Sequence, residues 1–92
     1  MKVRVILSAN LHELANAVNI TLEVPSECTV RDLIIKLGEV NPEIPRILLR
    51  GDELNENYIV IVNGRDIQWL RGLLTGLNDG DEVLIAPKAF IS

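Results

Sequence analysis

Residues 29–42, TVRDLIIKLGEVNP, are the best helix in the chain. Thr29 can cap its start. Asp32 stands three residues on, near the positive end of the helix dipole. Val30, Leu33, Ile34, Leu37 and Val40 follow i, i+3, i+4, i+7, i+10 spacing, a stripe that has to face a core. Pro42 stops the run. The partner for that stripe must come from the rest of the chain, and the rest of the chain reads as strands.

Residues 2–8, KVRVILS, alternate, with Val3, Val5 and Leu7 on one face and Arg4, Ile6 and Ser8 on the other. NLHE follows, an Asn with Glu three residues on, which predicts a capping box for a short helical turn. Leu11, Leu14 and Ala15 are expected to face inward. NITLEVP, 19–25, alternates again and is ended by Pro25. The gap between these strands suits an antiparallel hairpin. Residues 43–57 read as a turn-rich connection with one helical turn. YIVIVNGRDI carries the strongest hairpin signal, because Asn63-Gly64 can supply the two positive φ angles of a type I′ turn. A second Asp-Gly turn at 79–80 precedes a final strand at 82–86. The expected fold is α+β: one domain over 1–92, with a mixed sheet of four to five strands and one main helix across it, the β-grasp (ubiquitin-like) arrangement.

Composition narrows the function classes. The chain has 92 residues, is 48% apolar, and derives that content mostly from Val, Ile and Leu. Thirteen acidic residues against nine basic ones give a net charge of −4, which argues against a non-specific nucleic-acid binder. One cysteine allows no internal disulfide and fits a reducing compartment. No apolar run reaches the roughly 18 residues of a membrane span. Lys2 and Arg4 break the N-terminal apolar run at period 2, so it reads as a strand and not as a signal peptide. A cytoplasmic protein is expected, with no membrane or nucleic-acid partner.

ANLHELA at 9–15, TVRDLIIKL at 29–37, VNGRDI at 62–67 and LNDGDEVLIAP at 77–87 stand in the order and spacing of the MoaD/ThiS family of ubiquitin-like sulfur carriers. The chain resembles that family over nearly its whole length, and the molybdopterin synthase small-subunit branch most. The resemblance implies a carrier that is not itself an enzyme. In the family an activating enzyme adenylates the C-terminal carboxylate, sulfur transfer makes a thiocarboxylate, and the tail enters a partner's site. The implied partners are that activating (adenylating) enzyme and the molybdopterin synthase large subunit, in molybdenum cofactor biosynthesis. No cofactor or metal of the chain's own is implied. The family tail ends in Gly-Gly, which suits a narrow channel because glycine has no Cβ.

The sequence departs from the family there. Residues 87–92 make a tail of the family's length, but Ile91 and Ser92 hold the two glycine places. Ile91 is β-branched and stiff, so a chain ending this way is not expected to carry sulfur by the usual route. A longer natural chain trimmed to a glycine pair, or an altered end, would restore it. Family members also often carry aromatics at the positions of Ser8 and Ala86. By alternation Ile6, Ser8, Leu84 and Ala86 share the sheet face away from the helix, where the family meets its partners. Partner-binding residues are therefore expected at Ile6, Ser8, Leu84 and Ala86, and along the tail at Pro87, Lys88 and Phe90. The alternative reading is a non-conjugating ubiquitin-like interaction module that uses the same face.

Other residues carry weaker signals. His12 has no histidine or paired cysteine to share a metal with, so an exposed or capping role is expected. Cys28 precedes the helix but reads as a core-edge residue. Asp79, Asp81 and Glu82 lack the ligand spacing of a calcium loop and read as a turn. Arg65 and Asp66 are assigned a local structural role. Trp69 is expected in the core.

Overall fold

Alternation in the strands decides which side of the sheet is dry. The computed structural model describes residues 1–91, with side chains as far as Ala89. In chain order the elements are β1 (Lys2–Leu7), α1 (Asn10–Ala15), β2 (Asn19–Glu23), α2 (Val30–Leu37), α3 (Glu43–Leu48), β3 (Leu49–Arg50), β4 (Glu53–Leu54), β5 (Tyr58–Val62), β6 (Arg65–Asp66), two short 3-10 turns at Ile67–Trp69 and Gly72–Leu74, β7 (Glu82–Pro87) and a terminal turn α4 (Lys88–Ile91). Five strands form one mixed sheet in the order β2-β1-β7-β5-β6, and β3-β4 makes a small separate ladder. β1 runs antiparallel to β2 and parallel to β7, and β5 runs antiparallel to β7. This is the β-grasp arrangement expected from the sequence.

Val3, Val5 and Leu7 of β1, Val83 and Ile85 of β7, and Val60 and Val62 of β5 are buried on one face. The α2 side chains Val30, Leu33, Ile34 and Leu37 have no exposed surface and join the same core. Each such side chain contributes roughly 1.5–3 kcal/mol when removed from water. The cap is as expected. Thr29 Oγ1 accepts from Asp32 N–H at 3.2 Å, and Asp32 Oδ2 accepts from Thr29 N–H at 3.1 Å, a capping box.

The helix is shorter than its pattern. It ends at Leu37, and Gly38, Glu39 and Val40 donate back to the carbonyls of Ile35, Lys36 and Leu37 in 3-10 fashion. The stripe therefore turns away before Val40, which is 40% exposed. Gly38 sits where α3 crosses: an added Cβ would lie 2.9 Å from Ile35 O and 3.2 Å from the Pro45 ring. α3 is a further difference. It buries Ile44 and Leu48 completely, so the 43–57 connection supplies core as well as turns.

The capping box expected at the start of α1 is absent. Ala9, at φ 55°, occupies the N-cap position without a side-chain bond, and Asn10 Nδ2 donates to Tyr58 Oη at 2.9 Å instead. The tight turn out of β1 takes priority over the local cap. Leu11 is fully buried, while Leu14 and Ala15 pack half-buried at the edge of the core. The 63–64 turn has the predicted geometry, with Asn63 at φ 50° and Gly64 at φ 86°. Asn63 also binds Asp81, its Nδ2 donating at 2.8 Å, and its Oδ1 accepts from Glu82 N–H at 2.9 Å. Asp81 thus closes two turns, in keeping with a structural reading of the acidic run.

One buried polar residue fixes the far end of β7. Asn55 is 5% exposed, and its Nδ2 donates to Ile47 O at 2.9 Å. Its Oδ1 accepts from Asn57 N–H at 3.0 Å, and Asn57 O accepts from Lys88 N–H at 2.9 Å. This relay ties the first residue of α4 to α3. Asn55→Ala should lower the unfolding free energy by about 1–3 kcal/mol in urea denaturation. It should also speed hydrogen exchange at the Lys88 amide more than at Val60.

Cys28 is 2% exposed. Burial, then the neighbouring Asp32 carboxylate, pushes its thiol above the ordinary value, with Lys36 opposing. The raised value means that the thiol's contribution to stability is whole below the ordinary thiol pKa and fades as pH rises through the raised one. Urea midpoints should therefore fall above roughly pH 8.5 in the native chain, and fall less in Cys28→Ala. Alkylation of Cys28 should be slow until urea unfolds the chain.

Candidate functional site

The sheet face turned away from α2 carries a short apolar row. Strand register places Ile6 beside Leu84 and Leu84 beside Ile61, so the three central strands each contribute one side chain. All three are half-buried. One end of the row is polar, where Arg4 pairs with Glu82 across β1 and β7. Both side chains of that pair are largely in water, so its worth is small. At the other end Ala86 lies beside Ile59, and Ser8 N–H donates to Ile85 O at 3.3 Å just past the end of β1.

Of the residues expected to meet a partner, Ile6, Ser8 and Leu84 lie on this face and offer surface. Ala86 lies on it too but is completely buried, as Ile59 nearly is at 8%. This corrects the expectation for Ala86: it contributes no contact area of its own in this arrangement. Ile61 belongs to the row although it was not singled out in the sequence. The Asn63-Gly64 turn fixes the register of YIVIV only against β6, where Ile61 faces Asp66; its place beside Leu84 comes from the pairing of β5 with β7, which is set by tertiary structure.

The tail leaves from the same strand. Pro87 pairs with Tyr58 as the last residue of β7, one residue later than the sequence pattern predicts, and Lys88 is exposed. Residues 88–91 then form one helical turn and not an extended tail. Lys and Ala favour that choice, and a single turn of helix is marginal alone. It also shortens reach, from about 13 Å for four extended residues to about 6 Å. The side chains of Phe90 and Ile91, and Ser92 altogether, lie outside the described residues.

The geometry is that of a binding face and not of a reaction centre. Cys28 is buried in the core and its thiol is held protonated, while His12 is exposed on α1. Among the described residues no group of three or more His, Cys, Asp or Glu side chains could hold a metal ion. Asp66 accepts from Gln68 N–H at 3.0 Å and caps the first 3-10 turn, the local role expected of it. Trp69 does not enter the core. It is 79% exposed, with Leu74 at 69%. No helix among the described residues is long and apolar enough to cross a membrane.

Comparison with known proteins places this face in context. A protein of Archaeoglobus fulgidus described as a sulfur carrier is 38% identical over 68 residues, covering 72% of this chain and 77% of the relative. The solution structure of small archaeal modifier protein 1 from Methanosarcina acetivorans is 34% identical, with a TM-score of 0.78, and the match covers 94% of this chain and 91% of that one. A Pyrococcus furiosus structure described as molybdopterin converting factor subunit 1 is 28% identical, with a TM-score of 0.77 and coverage of 95% and 97%. These relatives are small ubiquitin-like proteins and not enzymes in themselves. Residues 5–88 match the model of the ThiS family, from the middle of β1 to the root of the tail, and the chain belongs to that family.

Proposed function

We propose that this chain is a ubiquitin-like carrier that docks on an activating enzyme through the Ile6–Leu84–Ile61 row and presents its tail to that enzyme. The single observation that carries the reading is continuity. Leu84, at the middle of the apolar row, and the root of the tail lie on one strand, β7, so a partner that covers the row also stands beside residues 87–88. In the carrier reaction the terminal carboxylate attacks the α-phosphate of ATP and releases pyrophosphate. A sulfur nucleophile then attacks the acyl carbon and AMP leaves, giving a thiocarboxylate. Within the family, a molybdopterin synthase small subunit is the assignment favoured by the block order at 62–67 and 77–87, and a large subunit would then be the second partner. The residues proposed to bind partners are Ile6, Ser8 and Leu84, with Pro87, Lys88 and Phe90 along the tail.

A specific observation favours a second reading. Ile91 and Ser92 hold the places of the family glycines, and residues 88–91 are helical. A β-branched residue cannot thread a channel shaped for glycine, and the turn would have to unwind first. The second reading is a ubiquitin-like module that keeps the docking face and no longer carries sulfur.

Intact mass separates the two. With an adenylating enzyme, ATP and a sulfide source, the carrier gains about sixteen mass units as sulfur replaces oxygen. Absence of both pyrophosphate exchange and mass gain, with both recovered in Ile91→Gly/Ser92→Gly, assigns the second reading. Docking is read independently of that chemistry. Leu84→Asp should weaken binding to the enzyme by about tenfold or more, as titration calorimetry would show. Its unfolding midpoint should fall, because Leu84 is half-buried in a central strand, so the titration is run where circular dichroism shows the variant folded.

A further inference from the structure

Two concavities meet at the root of the tail, and they carry opposite charge. On one side Arg46, Arg50 and Lys88 line an open groove of about 620 Å³, with Ile47, Tyr58 and Pro87 as apolar lining. On the other, Asp52, Glu53, Glu56 and Asp66 border a smaller hollow of about 350 Å³. Asn55, Tyr58 and Lys88 line both, so the ridge between them is the place where β7 gives way to α4.

The basic side is available to an incoming anion. Arg46 is engaged by Glu43 at 2.8 Å, but both side chains are more than half exposed and the contact is readily exchanged. Arg50 stands opposite Glu53 in the β3–β4 ladder, yet no ion pair joins them. Arg50 borders the basic groove and Glu53 the acidic hollow. Among the described residues neither Arg50 nor Lys88 lies within ion-pair distance of a carboxylate. Three of the chain's nine basic residues thus converge on one groove in a protein of net charge −4. Guanidinium groups match carboxylates in shape as well as in charge.

We propose that the Arg46–Arg50–Lys88 groove binds an acidic segment of a protein partner and so sets the partner's rotation about the root of the tail. The acidic wall beyond the ridge repels the same segment, which leaves one orientation favoured. A nucleic acid fits poorly, because its next phosphates would meet Asp52, Glu53 and Glu56. The apolar lining accommodates Leu or Val side chains interleaved with the carboxylates. This goes beyond the carrier reading: it needs a protein that closes on the root of the tail, whatever the tail delivers.

The test titrates isotope-labelled protein with a Glu/Leu-rich peptide, a Lys/Leu-rich peptide of the same length and a single-stranded oligonucleotide. The acidic peptide should shift the amides of residues 46–50 and 88. Its affinity should fall about fivefold or more in Arg46→Glu/Arg50→Glu and part of the way in Arg50→Gln. It should weaken steeply with salt and be retained in Leu84→Asp. Thermal melts confirm that the exposed arginine variants fold. The proposal is overturned if the acidic peptide shifts nothing or maps elsewhere, if charge reversal leaves its affinity unchanged, or if the oligonucleotide binds the groove as tightly. None of these readouts depends on adenylation, so failure of the carrier chemistry would leave them standing.

Discussion

The parallel pairing of β1 with β7 is the contact on which the rest depends. It joins residues 4–7 to residues 82–85, nearly the full length of the chain apart, and sets both strands in the middle of the sheet. Central strands bury one face against α2 and leave the other for contact. A parallel neighbour also needs a long crossover, and α2 occupies that crossover, so the helix that fills the core is the connection that permits the pairing.

A second constraint holds the root of the candidate site. Lys88 is held through Asn57 to Asn55, and Asn55 is anchored on Ile47 in α3. A buried amide with both its groups satisfied is a precise anchor, because no other arrangement satisfies it as well. Beyond Lys88 the chain relies on one helical turn. The boundary between firm and marginal structure thus falls at Pro87, with the opposed charged grooves on either side of it.

Much of this was legible in residue patterns, for local reasons. The α2 capping box, the positive φ pair at Asn63-Gly64 and the buried faces of β1, β5 and β7 are each decided within a few residues. The misreadings have the opposite character. Asn10 is drawn from its cap to Tyr58, a partner 48 residues away. Val40 leaves the stripe because α3 crosses at Gly38. Ile44 becomes core only because α3 packs on α2. Alternation put Ile6, Ser8, Leu84 and Ala86 on the face away from the helix, but the burial of Ala86 was not legible in it. The groove was not legible at all, since Arg46, Arg50 and Lys88 meet only through the fold.

The tail is where inherited geometry and local chemistry pull apart. The strand that feeds it, its pairing and its exit beside Tyr58 fit the proposed carrier reading. The residues after Pro87 coil into one turn, because Lys and Ala lose little by doing so. Unwinding one turn is a small demand, since four residues gain little from helix alone. A partner gripping the groove and the apolar row could meet it. Replacing the missing glycines is a different matter, because a Cβ in a narrow channel is a steric fact that binding elsewhere does not remove. In the proposed reading, docking and delivery therefore rest on separable parts of this chain, and the first can persist without the second.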